Sequence, residues 1–352
     1  ARAVAWERAV VDQCIGAPAL TLCGHAALGR RSPNIIAMRA VTDPREITHL
    51  ISTSETAAAV LYTVERFVDS SIFNQIHVST AFVKLARVQS TIEQGDKDSA
   101  TMVRLMKELR YCLSKRSLTA YSSANIFWAI VSMEKQMPQL MPLIPELMPM
   151  VQLVAKDMNA QEISNVMWAC ARCEIDSGAS ESFFEMLAER AFMEADSFDG
   201  QGLANIFWAS AKLRRSGAPV SPFLDVLPIL GEVAVQRADA MKAQEIANTL
   251  SGIADLRHEL STSAFERDLI PRLADATITK APRFTDKQFE LAIPEVVCAF
   301  AKLQIQHRPL LKTIATLCQK KGVLTNMNDW GLCALTWSYG EVFQDVEFSE
   351  FR

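Results

Sequence analysis

Asparagine and tryptophan recur at fixed positions within a short phrase of this sequence, and a glutamine and a basic residue recur just outside it. The phrase reads Leu-Ala-Asn-Ile-Phe-Trp-Ala-Ser at 203–210, and close copies begin at Ser123 and Ile163. Asn and Gln can bond to the edges of bases, Trp can stack on a base, and Lys or Arg can contact phosphate. Residues of these types on one surface are typical of a site for single-stranded nucleic acid.

A helical wheel places these residues on one narrow stripe. A helix advances about 100° per residue, and the helix that contains Leu203 is apolar in almost every direction. The exceptions are Gln201, Asn205 and Lys212, with Trp208 at their edge. If successive helices stack side by side, their stripes join into a track that could read RNA one unit per repeat. The candidate RNA-contacting residues, which include the two arginines after Lys212, are Lys84, Asn125, Gln161, Asn165, Arg172, Gln201, Asn205, Lys212, Arg214, Arg215, Gln244, Asn248 and Lys302.

Each column of this stripe also has a structural interpretation. A repeated Asn can form a buried hydrogen-bond ladder, because a buried amide needs partners, and this alternative stays open beside ligand contact. A repeated Trp such as Trp168 is more typical of packing between repeats, so we expect it in the core. A cation near a helix C-terminus interacts favourably with the helix dipole, but its recurrence favours contact with a ligand. Asp255 and Glu341 occupy the cation column in their own repeats and argue against contact there.

The phrase also defines the architecture. Its anchors are separated by 40, 40, 43, 47 and 39 residues, and they are Ser123, Ile163, Leu203, Ile246, Ile293 and Leu332. A period near 40 residues, with Ser, Gly, Asp and Pro clusters between apolar helical patterns, is typical of paired-helix repeats. The predicted fold class is all-α, an α-solenoid of roughly seven to eight two-helix repeats.

The period divides the chain into an arm and an array. Residues 1–42 show no period and predict an irregular N-terminal arm, whereas residues 43–352 predict a single helical-repeat array. Asp43 and Pro44 are a capping residue and a first-turn proline, which predict the start of the first helix. The first helices of the repeats are expected near 44–54, 74–87, 121–133, 161–173, 201–213, 244–256, 291–303 and 330–342.

Composition limits the classes of function. The 352 residues carry a net charge of −4, which excludes a broadly basic nucleic-acid binder and leaves room only for a local contact surface. No run of about 18 apolar residues predicts a membrane helix. The eight cysteines lack the spacing of a disulfide framework, so they indicate a reducing compartment.

Residues that could catalyse a reaction are scattered. The five histidines lie one per repeat or loop without metal-ligand spacing, and the close cysteine pair is Cys170 and Cys173. The wheel places both thiols on the buried face, and two ligands cannot complete a zinc site, so we expect core packing. No nucleophile lies at a spacing that predicts a base beside it. We therefore predict no enzymatic activity, no cofactor, no metal and no small-molecule substrate.

The string Leu-Ala-Asn-Ile-Phe-Trp-Ala-Ser-Ala-Lys-Leu at 203–213, with its copies at 123–133 and 163–173, resembles the repeats of octotricopeptide-repeat proteins, which are helical-repeat factors of organelles. Residues 73–86 are similar to the usual lead-in of that family. The resemblance implies RNA binding in a mitochondrion, or alternatively in a chloroplast. Many members carry a C-terminal RAP domain, and no such segment is found here, which argues against a role in RNA cleavage.

Two hypotheses of function follow. The first is a non-catalytic organellar RNA-binding protein, either a structural subunit of a mitochondrial ribosome with fragmented ribosomal RNA or a factor for transcript stabilisation or translation. Its partners would be single-stranded or ribosomal RNA and neighbouring protein subunits. The second is a protein scaffold subunit without RNA contact, which the acidic balance and the segment Met133–Met150 favour, because Met-rich surfaces adapt to partner proteins.

Overall fold

The computed structural model describes residues 43–173, 180–260, 265–325 and 327–342, and over these ranges the protein is all-helical, without a β-strand. The predicted arm at 1–42 lies outside the described residues, as do residues 343–352 of the predicted array. The helices in chain order are α1 (Pro44–Thr53), α2 (Ala57–Phe67), α3 (Gln75–Arg87), α4 (Gln94–Lys97), α5 (Ala100–Ser114), α6 (Ala120–Ser132), α7 (Leu143–Val154), α8 (Ala160–Arg172), α9 (Glu181–Met193), α10 (Gly200–Arg215), α11 (Ser221–Arg237), α12 (Ala243–Asp255), α13 (Ile270–Lys280), α14 (Asp286–Leu303), α15 (Arg308–Lys321) and α16 (Asp329–Trp337).

The helices pack as repeated pairs. The first helices of the repeats form one row in which each contacts the next, in the order α1, α3, α6, α8, α10, α12, α14 and α16. The second helices, α2, α5, α7, α9, α11, α13 and α15, follow one another in a second row, and each also contacts a first helix. The predicted helical-repeat character is therefore confirmed over the described residues.

One first helix begins well before the residue predicted from the repeated phrase. Helix α14 begins at Asp286, whereas the phrase at Ile293 placed its start near 291. The Oγ1 atom of Thr285 accepts a hydrogen bond from the backbone N–H of Gln288, and the Gln288 side chain accepts one from the N–H of Thr285. This reciprocal capping box satisfies two backbone donors and starts the helix before the repeated phrase.

The starts of the central first helices are set by local sequence. An apolar residue and then a capping residue precede α6, α8 and α10, and Leu118, Met158 and Phe198 are the buried apolar members. The following side chains, Thr119, Asn159 and Asp199, each accept a hydrogen bond from a backbone N–H of the first helical turn. A cap beside an apolar anchor fixes both the first turn and the angle of entry of the chain.

The second row is joined by basic side chains that reach back to the preceding repeat. The Nε atom of Arg190 on α9 donates to the carbonyl of Met158 at 3.1 Å, and Arg237 on α11 donates to the carbonyl of Asp196 at 3.1 Å. Lys280 on α13 likewise donates to the carbonyl of Met241. Each carbonyl lies beyond the end of the preceding second helix, where backbone acceptors lack partners within the helix.

The two rows enclose a continuous apolar core that runs from Ile47 to Tyr339 among the described residues. Phe127 and Phe207 are completely buried at matching positions of α6 and α10. Where the structure describes the chain, its helices are each too short or too polar to cross a membrane.

Candidate nucleic-acid interface

The outermost position of the predicted stripe is exposed on three neighbouring first helices. Tyr121 on α6 is 60% exposed, and Gln161 on α8 and Gln201 on α10 are also exposed. Each lies in the first turn of its helix, and the three helices contact one another in sequence. A tyrosine ring and two amides are therefore available to solvent along one edge of the first row.

The Asn column lies deeper than this edge. Asn125 is 7% exposed, and Asn165 and Asn205 are half-buried. The Nδ2 atom of Asn165 donates to Oδ1 of Asn125 at 3.2 Å, so the ladder interpretation holds for this pair of adjacent repeats. Such a bond satisfies one donor and one acceptor, while each amide has capacity for more partners.

The Trp column divides between the core and the surface. Trp168 on α8 is 5% exposed and belongs to the apolar core, as expected from its place in the phrase. Trp128 on α6 and Trp208 on α10 are half-buried and pack against the core with part of their surface. The exposed part of each ring therefore provides aromatic surface on α6 and α10, which lie on either side of α8.

His77 occupies the position of the Asn column on α3. Its Nδ1 atom accepts a hydrogen bond from the N–H of Asn74, so the Nε2 atom carries the proton and donates to the carbonyl of Pro44 at 2.8 Å. Burial lowers the pKa of His77, although the bond to the Pro44 carbonyl acts in the opposite direction. A neutral imidazole therefore ties α3 to the start of α1, and this column joins neighbouring repeats here as it does at Asn165.

The corresponding residues farther along the chain bond to one another. The Nε2 atom of Gln244 on α12 donates to Oδ1 of Asn248 and to Oε2 of Glu295 on α14, both at 2.9 Å. Burial raises the pKa of Glu295 to about 7, against the lowering effects of the Gln244 bond and the charge of Lys302. Two predicted contact residues, Gln244 and Asn248, are thus engaged within the protein.

Several cations of the stripe also meet acidic partners. Lys302 on α14 lies 2.7 Å from Oδ1 of Asp255, and Arg215 on α10 lies 3.9 Å from Oδ2 of the same carboxylate. Arg214 lies 3.6 Å from Glu259. Asp255, which occupies the cation column of its own repeat, is thus the partner of two predicted contact cations, a role that its sequence position did not reveal. One feature of the sequence could have indicated this pairing, because Arg215 and Lys302 lie about one repeat before and after Asp255.

The remaining predicted cations occupy the stripe at intermediate depth. Lys84 on α3, Arg172 on α8 and Lys212 on α10 are half-buried. Each lies in the last turns of its first helix, where the partial negative charge of the helix end favours a cation. Arg172 and Lys212 lie near the C-terminal ends of α8 and α10, the two helices that carry the exposed glutamines in their first turns.

Cys170 is buried in the core, and Cys173 is half-buried against it. Burial raises the pKa of the Cys170 thiol, and it raises the pKa of Cys173 to about 12, so both are protonated at neutral pH. Nowhere in the described ranges do three His, Cys, Asp or Glu side chains lie close enough together to hold a metal ion. Met133, Met137, Met148 and Met150 are buried, so these four side chains do not form the adaptable surface inferred from their abundance.

Comparison with models of known protein families finds no match, and comparison with curated proteins finds no similar sequence. The interpretation of the surface therefore depends on its own residues.

Proposed function

We propose that this protein is a non-catalytic RNA-binding α-solenoid, in which the first helices α6, α8 and α10 contact a single-stranded segment. The observation that carries this proposal is the alignment of exposed Tyr121, Gln161 and Gln201 on three helices that contact one another. Two amides and a phenol at matching positions suit hydrogen bonding to bases, which present donors and acceptors on their edges.

Residues farther along the same three helices complete the chemistry. Trp128 and Trp208 retain exposed aromatic surface on which bases could stack, and Arg172 adds a cation for a phosphate. Helical arrays are known to read RNA with two or three side chains per repeat. A local surface of this kind is compatible with the net charge of −4, because only the contact region needs to attract phosphate.

The cellular role proposed is that of an organellar protein, in a mitochondrion rather than a chloroplast. It would be a structural subunit that binds ribosomal RNA, or a factor for transcript stabilisation or translation. This part of the proposal is supported by the resemblance of the repeated phrase to octotricopeptide repeats, a family whose members bind RNA in organelles.

The test is RNA binding by the whole chain and by a double variant, Gln161→Ala with Gln201→Ala. Affinity for a pool of random-sequence single-stranded RNA, measured by fluorescence anisotropy, should fall about tenfold, since each lost amide contact costs roughly 0.5–1.5 kcal/mol. The matched control is Gln236→Ala with Gln319→Ala, two exposed glutamines of the second row, on α11 and α15. Equal affinities for the two double variants would contradict the proposed surface.

A second candidate, a scaffold for other proteins, is favoured by a different surface. The second helices α2, α5 and α9 carry exposed apolar side chains, namely Tyr62, Val103, Tyr111, Phe192 and Met193. Exposed large apolar groups are typical of protein contacts when they gather on one face. Co-purification of partner proteins that survives nuclease treatment, from a strain in which RNA crosslinking to this protein is at background, would favour the scaffold over RNA binding.

A further inference from the structure

The row of first helices changes its charge at the boundary between α10 and α12. Helices α6, α8 and α10 contain one acidic residue, Glu162, and four basic ones, Arg172, Lys212, Arg214 and Arg215. Helices α12 and α14 contain five acidic residues and two basic ones. The five acids are Glu245, Asp255, Asp286, Glu290 and Glu295. The first part of the row therefore has an excess of basic residues and the second an excess of acidic ones, which favours a polyanion on the first part.

The pattern of hydrogen bonds changes at the same boundary. On α6, α8 and α10 the outermost stripe residues are exposed, and the bond between Asn165 and Asn125 links the next column inward. On α12 the outermost residue, Gln244, is half-buried and donates to both Asn248 and Glu295. Base contact by Gln244 would require breaking these two bonds and leaving the half-buried Glu295 carboxyl group without its donor, which has a cost in free energy.

Ion pairs also engage the cations at the boundary between α10, α12 and α14. Asp255 lies between Lys302 on α14 and Arg215 on α10, so one carboxylate offsets cations from the first helices on both sides. A phosphate that approached Lys302 would meet Asp255 and Glu295 at the same time. The cation column therefore loses its attraction for phosphate beyond α10, although a lysine is present at the expected position.

We propose that the RNA-binding track ends at α10, so that the protein holds a short single-stranded segment on α6, α8 and α10, and the surface of α12 and α14 stays free of RNA. At about one base per repeat, three helices correspond to roughly three to four nucleotides. This inference depends on the function proposed above and adds the point at which the RNA-binding surface ends. Asp255 is the residue that sets the boundary, because it offsets the cations on either side.

The experiment compares the affinity of the whole chain for fluorescein-labelled random-sequence RNA pools of 4, 8 and 12 nucleotides. After the statistical correction for the number of registers in a longer strand, affinity should be the same for all three pools. In Asp255→Asn, the 12-nucleotide pool should bind at least threefold more tightly than the 4-nucleotide pool. Its binding should also depend more steeply on salt, because the negative charge beside Lys302 and Arg215 is removed. The control variant is Asp275→Asn, an acidic residue on α13 of the second row, which should leave both affinities unchanged.

The outcomes separate the two proposals. Binding of 12 nucleotides that exceeds binding of 4 nucleotides in the wild-type chain, after the register correction, would overturn the boundary while leaving RNA binding intact. A loss of affinity in Gln244→Ala as large as that in Gln201→Ala would also overturn it. Absence of binding to every pool would refute the proposed function itself. Thermal unfolding of each variant, followed by circular dichroism, verifies that the affinities belong to folded protein.

Discussion

Burial of Glu295 between α12 and α14 raises the pKa of its carboxyl group to about 7, while an unfolded chain would titrate near 4.5. The folded protein therefore binds this proton more tightly than the unfolded chain does. The stability contributed by the neutral acid is present at low pH and is lost as pH rises from about 4.5 to about 7. Above about pH 7 the carboxylate is charged in the folded protein, and its desolvation lowers the free energy of unfolding.

The substitution Glu295→Gln should accordingly stabilise the protein, relative to wild type, more at pH 8 than at pH 5. The amide oxygen can still accept the bond from Gln244, and no charge needs to be buried. We expect the free energy of unfolding of the variant, relative to wild type, to increase by about 1–3 kcal/mol between pH 5 and pH 8. Urea unfolding at the two pH values measures this difference. The same relative stability at both would mean that Glu295 has an ordinary pKa.

Trp168 differs from its two counterparts because it is buried between repeats. Trp168→Ala should lower the free energy of unfolding by about 3–5 kcal/mol, through lost apolar burial and the cavity left behind. Trp208→Ala, at a half-buried position, should cost less and should weaken RNA binding if its open face stacks on a base. A small stability loss at Trp168, together with weaker RNA binding, would instead place Trp168 in contact with the ligand.

At the scale of the elements, the close approach of α12 to α10 depends on a glycine. A Cβ atom at Gly252 would lie 2.6 Å from the backbone carbon and oxygen of Phe207. The equivalent residue on α10 is Ala209. The α12 copy of the phrase has glycine at this position, which allows the closer contact between the two helices. Glycine is unfavourable inside a helix, and its presence here reflects the space between the two backbones.

Gly252→Ala tests this contact through the sign of its effect. In an open helix the substitution stabilises by about 1 kcal/mol, but here the backbones must separate, so we expect a loss of about 1–3 kcal/mol. Chemical denaturation provides the measurement. Gly95→Ala in α4 is the control, since nothing lies within 4 Å of its Cβ and it should not destabilise. A stabilised Gly252→Ala variant would show that α10 and α12 can move apart without cost.

The bonds from second-row cations to preceding carbonyls are a further device at this scale. Arg190→Met preserves much of the aliphatic packing but removes the donor to the Met158 carbonyl and to Glu194. The expected loss is about 1–2 kcal/mol in the free energy of unfolding. Lys107→Met, at an exposed position of α5, removes the same charge and should change stability by less than about 0.5 kcal/mol. Equal effects of the two substitutions would assign the loss to charge rather than to the bond.

At the scale of the whole molecule, contacts between neighbouring repeats hold the array together. Interior first helices such as α8, α10 and α12 pack against a first helix on each side, whereas α1 among the described residues has only α3 as its neighbour in that row. In such an array, stability is approximately the sum of each repeat and its nearest-neighbour contacts.

Hydrogen exchange should therefore be slowest in the central first helices and faster in α1 and α16. Mass spectrometry of peptides from these helices gives the comparison, and the expected difference follows from the number of helix faces that neighbours cover. Uniform protection from α1 to α16 would indicate a single cooperative unit instead of a series of coupled repeats.

The amino-acid sequence by itself determined the helical class, the 40-residue period and the start of most first helices. These features depend on local interactions, such as the cap at Asp199 beside Phe198 and the apolar pattern that follows. The sequence also placed Trp168 and Cys170 in the core, since a helix that is apolar all round must be covered on most sides.

Only the tertiary structure decided which stripe residues face solvent and which face a neighbouring repeat. Asn165 and Gln161 belong to the same stripe, but one bonds to Asn125 and the other is exposed. The pairing of Asp255 with Lys302 likewise joins residues 47 positions apart. A helical wheel gives the direction of each side chain from its own axis. The distance and offset between adjacent axes, which decide the partner across the gap, depend on packing along the whole row.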